Sequence, residues 1–206
     1  MITSNQQKRL IQGGEQLLDV LIESLHRLEK KLHGVQPAVI DLWDEIHKKV
    51  YRPRDEGRFS DYVTRHLRDD LKEIFVRREV EIRRGEGSTP GERTDIHIDV
   101  VVKGTGGKEP ERISAIIEVK GCWNKKLKQA MKTQLVDRYL KDNPCQFGLY
   151  LVGWFNCEQW DQEDARRREA PKIDLKEARE QFAAQAVELS QSGVTIKAFV
   201  MNTALR

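Results

Sequence analysis

Two acidic residues and one lysine in the middle of the chain have the types and spacing of a phosphodiester-cleaving centre. Glu118 and Lys120 lie two positions apart in an alternating segment, so on a strand both project from the same face. Asp95 precedes the alternating run Ile96–Val102, which predicts a second strand. Antiparallel pairing of these two strands would bring Asp95 beside Glu118.

Two carboxylates next to an ammonium group suit the hydrolysis of a phosphate ester. Mg²⁺ takes oxygen ligands, often one or two carboxylates together with water. It lowers the pKa of a bound water and neutralises charge that develops on the phosphate. A lysine beside the metal can orient that water and stabilise the transition state. The same residues would make a poor zinc site, since they include no cluster of histidine and cysteine.

The segments before this hairpin are predicted to be mostly helical. Apolar residues at helical spacing over 11–32, ended by Gly34, predict a first helix whose leucines either pack on the following domain or form a coiled-coil seam. A second helix is predicted over 37–46, followed by a polar connector over 51–58. A third helix is then expected, with Ser60 as its N-cap.

Strands and helices alternate in the rest of the chain. A strand is predicted over 75–84 and a loop over 85–93, before the hairpin that carries the two acids. A helix over 125–141 precedes an apolar run at 147–155 that is typical of a strand buried on both faces. Asp174 is expected to cap a further helix ending near Ser190, and a last strand is predicted over 194–201. This order indicates an α/β fold, with a helical extension over 1–50 and the main domain over 51–206.

Composition restricts the classes of function. The net charge is only +3, so evidence for nucleic-acid binding must come from local charge. Between Lys120 and Lys141 there are seven basic residues and one acid, Asp137, which is what a phosphate backbone requires. Residues 52–93, by contrast, hold eleven basic and ten acidic residues and predict no such field.

The cysteines and the hydropathy pattern indicate the compartment. Three cysteines (Cys122, Cys145 and Cys157) are odd in number and far apart, as expected of thiols in a reducing compartment. No window approaches the roughly 18 apolar residues of a membrane span, and the N-terminus lacks the pattern of a signal peptide. A cytoplasmic protein without a membrane partner is expected.

The Asp95 and Glu118-Val119-Lys120 pattern, within a helix–strand–strand–strand–helix–strand order, resembles the PD-(D/E)XK nuclease superfamily over roughly residues 56–202. The resemblance implies a restriction-endonuclease-like αβββαβ core with a mixed sheet. It also implies that Asp95, Glu118 and the carbonyl of Val119 bind Mg²⁺, for which Mn²⁺ can substitute, and that Lys120 is the catalytic lysine. Thr94 stands where the family name has proline.

Members of this family often place a further acid on the helix before the first strand. Glu56 is the preferred candidate for this metal ligand, and Asp61 and Glu79 are the alternatives. All three flank or follow the predicted third helix.

The helix after the lysine carries the expected substrate contacts. In exonuclease-type members of the family, a glutamine and a tyrosine stand four apart on this helix, whereas Gln134 and Tyr139 are five apart and Arg138 holds the fourth place. Gln134 and Arg138 would then share an α-helical face. These two residues and Lys126 are expected to contact the substrate.

The segments RREVEIR, RTDIHI, IIEVKGCWN and QLVDRYL together resemble nuclease domains of bacterial anti-phage and restriction proteins. This likeness implies a Mg²⁺-dependent DNA endonuclease that acts as a defence or restriction module, with DNA favoured over RNA. Two alternatives belong to other classes: a nuclease-fold module that binds nucleic acid without cutting it, and an interaction module that self-associates or is tethered through its N-terminal helices. The two acids argue against a pure binder, which has no need of them near phosphate.

Overall fold

The fold is built on a five-stranded mixed sheet. A computed structural model describes residues 11–72, 74–78, 81–83, 92–93, 95–102, 110–141, 144–190 and 193–206 of the 206-residue chain. The strands are β1 (Trp43–His47), β2 (Val50–Pro53), β3 (Phe75–Arg78), β4 (Glu81–Arg83), β5 (Glu92–Arg93), β6 (Ile96–Val102), β7 (Glu111–Gly121), β8 (Phe147–Trp154) and β9 (Thr195–Asn202). The helices are α1 (Gly14–Leu32), α2 (Glu56–Asp70), α3 (Leu127–Ala130), which continues as a π-helical segment (Met131–Leu140), α4 (Ala165–Glu169) and α5 (Leu175–Leu189).

The sheet has the strand order β3–β6–β7–β8–β9. The first three strands are antiparallel neighbours, and β8 and β9 run parallel to β7. The predicted α/β class and the predicted β6–β7 hairpin are therefore confirmed. Two short pairs, β1–β2 and β4–β5, lie outside this sheet.

Both faces of β7 are buried, although the sequence predicts a core face only for its alternating apolar residues. Ile116, Glu118 and Lys120 on the second face are as well shielded as Ile117 and Val119 on the first. The reason is that helices cover the sheet from two layers. The α1 and α2 helices contact each other and β7, while α5 and the π-helical segment contact each other, and the π-helical segment also contacts β7 and β8. The acid and the lysine are therefore placed inside the fold.

The leucine stripe of α1 is part of the core. Its apolar residues are almost completely shielded from solvent and pack with the sheet strands in one cluster: Leu17, Leu18, Leu21, Leu25, Leu28 and Leu32. The alternative in which the stripe packs on the domain behind it accounts for this burial. Leu21 and its neighbours are thus occupied by contacts within the chain.

The prediction for residues 37–58 is wrong in two places. Where a second helix is expected, the chain forms a short 3₁₀ helix (Ala38–Leu42) and then the hairpin β1–β2, with Lys49 in the left-handed region at φ 63°. Burial of Trp43 against Phe155 and Trp160 overrides the helical pattern. The third helix begins at Glu56, and its N-cap is Asp55 rather than Ser60.

The first predicted strand of the main domain is also shorter than expected. It ends at Arg78 in β3, and the later part of the predicted strand contains β4, which pairs with β5 instead of extending the large sheet. Part of the predicted loop over 85–93 is therefore the strand β5. Residues 79–80, 84–91 and 103–109 lie outside the described residues.

The C-terminal elements agree with the sequence. Strand β8 is buried along almost its whole length, and Asp174 caps α5 by accepting a hydrogen bond from the Glu177 N–H at 2.8 Å. The last strand is β9, which begins one residue later than predicted. None of the described helices is both long enough and apolar enough to cross a membrane.

A buried carboxylate joins the three antiparallel strands. Asp99 on β6 accepts two hydrogen bonds from Arg112 of β7, at 2.9 and 2.6 Å, and one from Ser114 at 2.6 Å. It also forms an ion pair with Arg77 of β3. His97 also contacts it, at 3.2 Å. Burial opposes the charged form, but these donors outweigh it and hold the pKa of Asp99 well below its ordinary range. The ionised side chain therefore stabilises the fold.

We expect Asp99→Asn to lower the free energy of unfolding at neutral pH by on the order of 1–3 kcal/mol, because hydrogen bonds to a charged group are lost. The lowered folded-state pKa means that this contribution is present above about pH 4 and is lost as the pH falls below that value. Denaturant unfolding of wild type and variant at neutral and acidic pH measures both effects. The exposed pair of Asp44 with Arg54 is the control, and Asp44→Asn should change stability little. Equal stability of Asp99→Asn and wild type at neutral pH would contradict the account.

Candidate active site

The register of β6 on β7 sets the position of the first acid. Ile96 pairs with Ile117, so Asp95, the residue before β6, lies beside Glu118. Its Oδ2 accepts a hydrogen bond from the Val119 N–H at 2.9 Å. The Asp95 side chain keeps one third of its surface exposed. The predicted meeting of Asp95 and Glu118 is therefore present, at an edge that solvent can reach.

Lys120 lies between the two carboxylates. Its Nζ is 2.5 Å from Glu118 Oε1 and 3.8 Å from Asp95 Oδ2, and its side chain is only 9% exposed. Burial disfavours the ammonium form, but the charges of Glu118 and Asp95 outweigh burial and raise the pKa of Lys120 above its ordinary value. The lysine is thus a fixed cation that points at the acids.

Glu118 has one oxygen with a partner and one without. Oε1 accepts from Lys120, whereas Oε2 is shielded from solvent and accepts no hydrogen bond from any described residue. Burial, and then the charge of Asp95, raise the pKa of Glu118 to about 8, against the opposing effect of Lys120. An unsatisfied buried carboxylate oxygen is costly. Such an oxygen is a natural ligand for a cation.

Glu56 is close to this centre but has other partners. It is the first residue of α2, and its Oε1 accepts hydrogen bonds from the Gly121 N–H at 2.9 Å and from Asn124 Nδ2 at 2.8 Å. Its charge also acts on Lys120. Glu56 therefore ties the N-terminus of α2 to the residue that follows the lysine.

Asn124 is a residue that the sequence does not single out. Its amide donates to Glu56, and its Oδ1 accepts from the Lys126 N–H at 2.8 Å, just before α3 begins. It thus connects the ends of α2, β7 and α3. An asparagine placed between a strand end and a helix start is typical of such a turn, which is the pattern that could have identified it.

The two other candidate acids differ from Glu56. Asp61 forms an ion pair with Arg78 and lines a separate cavity along α2. Glu79 lies outside the described residues.

The helix that carries the expected substrate contacts has an unexpected geometry. From Met131 to Leu140 it is π-helical, with hydrogen bonds between residues five apart, such as Lys141 N–H to Val136 O at 3.0 Å. Gln134 and Tyr139, five apart, stand at the spacing of these hydrogen bonds, and Gln134 and Arg138 are both partly buried.

The three expected substrate contacts lie in different settings. Gln134 Oε1 is shielded and accepts no hydrogen bond within the described chain. Arg138 is partly buried, with its guanidinium 5.7 Å from the Tyr139 ring centre. Lys126 is exposed at the start of α3.

Aromatic residues pack beside the end of β7 that carries the site. Trp123 packs against Phe155 and Trp160, with ring centres 4.9 and 5.9 Å away. A Cβ at Gly121 would lie 2.5 Å from the Trp123 ring, so only glycine fits there. Burial raises the pKa of Cys122 to about 12, which keeps its thiol protonated at neutral pH.

The donor set fits a hard divalent cation in its chemistry. Mg²⁺ is often held by one or two carboxylates and retains several waters, and Asp95 and the unpartnered Oε2 of Glu118 could supply such ligands. No group of three or more histidine, cysteine, aspartate or glutamate side chains suited to a metal occurs in the described part of the chain. Glu56 therefore does not complete a three-residue metal group with Asp95 and Glu118.

The chain matches no protein-family model, no curated protein and no solved structure. Its function must therefore be inferred from the residues and their geometry.

We expect the raised pKa of Glu118 to make the fold less stable as the pH rises. Between about pH 5 and 8 the folded protein holds a proton that the unfolded chain has lost, so the free energy of unfolding should fall by up to about 1.4 kcal/mol per pH unit. Glu118→Gln, which cannot titrate, should remove most of this fall. Chemical denaturation in EDTA across this range measures it.

Glu180→Gln, on the exposed surface of α5, serves as the control and should retain the slope of the wild type. If wild type and Glu118→Gln show the same dependence on pH, Glu118 is ionised normally and the description of its environment is wrong.

Proposed function

We propose that this chain is a Mg²⁺-dependent nuclease whose active centre consists of Asp95, Glu118 and Lys120. The observation that carries the proposal is the buried Oε2 of Glu118, to which no described residue donates a hydrogen bond, beside the Asp95 carboxyl group and an ammonium. Two acids with one unsatisfied oxygen are suited to a cation, and the lysine is suited to a phosphate.

The order of elements supports the same proposal. Apart from the β4–β5 pair, which lies between β3 and β6 in the sequence, the order from α2 to β8 is helix, three antiparallel strands, helix and a strand parallel to β7. This is the αβββαβ order expected of a restriction-endonuclease-like core. The acids and the lysine lie at the start of β6 and near the end of β7, as the resemblance to PD-(D/E)XK nucleases implies.

A bound Mg²⁺ or Mn²⁺ would supply Lewis acidity, by withdrawing charge from a phosphate oxygen and making a nearby water more acidic. Asp95 and Glu118 would hold it, with the Val119 carbonyl as the further ligand that the resemblance implies. The Asp95 carboxylate is oriented by the Val119 N–H, so its position depends on the strand pairing and not on a mobile side chain.

Lys120 contributes a fixed positive charge. Its pKa is raised above the ordinary value, so at neutral pH it can donate hydrogen bonds but cannot act as a base. A cation held rigidly in a shielded site stabilises negative charge that develops on a phosphate without reorganising. We assign to Lys120 the orientation of the attacking water and the stabilisation of the transition state.

The lysines beside the centre extend the phosphate-binding surface. Lys126, Lys128 and Lys132 are exposed along α3 and the start of the π-helical segment. Such a row of cations would attract a phosphate backbone towards the centre. With Gln134 and Arg138, it is the proposed contact surface for DNA, and the sequence resemblance extends the proposal to endonucleolytic cleavage and a role in defence or restriction.

We expect purified wild type to cleave DNA in the presence of Mg²⁺ or Mn²⁺ and to be inactive in EDTA. Lys120→Ala should lower the cleavage rate about 10²–10³-fold, because removal of one preorganised electrostatic group typically has that effect. Asp95→Asn should also abolish cleavage. Supercoiled plasmid, linear duplex, single-stranded DNA and RNA, compared on gels, measure the activity and identify the substrate.

The control is Lys176→Ala, which removes a lysine from the exposed face of α5 and should cleave as wild type does. Equal cleavage by wild type and Lys120→Ala would contradict the assigned centre. Salt-sensitive binding of nucleic acid without cleavage would instead favour the non-catalytic binding module.

A further inference from the structure

A cavity opens along α2, and its lining includes none of Asp95, Glu118 and Lys120. Its volume is about 360 Å³. Its lining contains five arginines and only two acids, Asp41 and Asp61. The five arginines are Arg54, Arg58, Arg65, Arg68 and Arg78. A concave surface with this excess of guanidinium groups is suited to an anion.

The helical spacing of α2 collects these arginines on one side. Arg58 and Arg65 are seven residues apart, or about two turns, and Arg68 follows three residues later, so all three share a face. The opposite face of α2 is buried in the core through Phe59 and Val63.

Counted along the sequence, the acids of residues 52–93 balance the bases. In the fold, five of those bases but only one of those acids, Asp61, line this cavity. Asp55 caps α2, and Asp70 pairs with Arg27 of α1 at 2.6 Å. The even count of charges along the sequence therefore does not describe the lining of this cavity.

Three of the arginines are held in place by the protein. Arg54 binds Asp44 at 3.0 Å, Arg68 donates to the Val76 carbonyl at 3.0 Å, and Arg78 pairs with Asp61. These contacts fix one part of the cavity wall.

The guanidinium groups of Arg58 and Arg65 have N–H donors that no described residue accepts. In the described part of the chain, the Arg58 and Arg65 side chains form no hydrogen bond or ion pair, although the Arg65 guanidinium lies 5.7 Å from the Tyr62 ring centre. A guanidinium has five N–H donors in a planar fork that matches phosphate oxygens. These two arginines are therefore available to an anionic ligand.

The N-terminal turn of α2 connects the cavity to the proposed active centre. Glu56, the first residue of α2, accepts a hydrogen bond from the Gly121 N–H, and Gly121 follows Lys120. Arg58 lies in the same turn of α2 as Glu56 but projects from the opposite side of the helix, and Arg65 is about 14 Å from Glu56 along the helix axis. That length corresponds to a few nucleotides of a strand. A polynucleotide in the centre could therefore reach the arginines with a flanking or terminal phosphate.

We propose that the arginine cavity on α2 binds a phosphate group of the polynucleotide on which the proposed active centre acts. The phosphate is either a backbone phosphodiester that flanks the cleaved bond or a terminal phosphate. The inference rests on the proposed nuclease function for the identity of its ligand. Arg58 and Arg65 make the direct contacts, and the three anchored arginines supply the surrounding positive charge.

The test compares the double variant Arg58→Ala/Arg65→Ala with the control double variant Lys172→Ala/Lys176→Ala. Each removes two exposed cations, so both lower the net charge equally, and the control sites lie at and before α5 in the other helical layer. Both should fold as wild type does, since the changed side chains are exposed; thermal melting checks this.

Binding is measured in EDTA by fluorescence anisotropy over a range of salt concentrations. The probes are a single-stranded DNA oligonucleotide and its duplex, each with a 5′-phosphate or a 5′-hydroxyl. We expect the arginine variant to bind roughly tenfold more weakly, with a salt dependence reduced by about two phosphate contacts. The control should bind as wild type does. A wild-type preference for the 5′-phosphate that disappears in the variant identifies a terminal phosphate, and a uniform loss identifies the backbone.

Two results would overturn the inference: an arginine variant that binds no worse than the control, or a wild type that binds none of the probes. Plasmid cleavage separates this failure from failure of the proposed function. If wild type cuts in a metal-dependent way but binding does not depend on the two arginines, only the proposed phosphate site is rejected. If binding depends on the two arginines but wild type does not cut, only the proposed nuclease centre is rejected.

Discussion

The burial of Glu118 and Lys120 near the end of β7 is the constraint on which the rest of the structure depends. Removing two opposite charges from water costs several kcal/mol for each ion unless every polar atom finds a partner. Here the ammonium donates a hydrogen bond to Oε1 of Glu118, but no described residue donates one to Oε2. The helical layers that stabilise the sheet therefore also enclose an incompletely satisfied carboxyl group. Local destabilisation of this kind is characteristic of functional sites, and here the burial of a large apolar core offsets it.

The antiparallel half of the sheet keeps the partners of this pair in register. Asp99 on β6 forms ion pairs with Arg77 of β3 and Arg112 of β7. These pairs lie further along β6 than the active centre. That cluster fixes the pairing that places Asp95 beside Glu118. A slip of one residue would turn the acid to the other face of the sheet, because side chains alternate along a strand. The structural cluster and the candidate site are thus two ends of the same strand pairing.

The sequence predicts the parts of this arrangement that depend on local periodicity. Alternation along β6 and β7 predicts both strands and the meeting of their acids. It does not predict the hairpin β1–β2, because Trp43 is drawn into an aromatic cluster by residues more than a hundred positions away. The π-helical segment and the arginine cavity are also missed. The first departs from the usual helical period, and the second depends on which acids are engaged by partners distant in sequence.

The most direct test of the central claim is a crystal structure of the protein soaked with Mn²⁺, with the metal located by its anomalous scattering. We predict a single strong peak about 2.1 Å from Oε2 of Glu118 and within coordination distance of Asp95. The same crystals of Glu118→Gln should lack the peak, while the surrounding strands remain unchanged. A protein that folds as described but shows no metal at these two carboxylates, or binds it only elsewhere, would contradict the account.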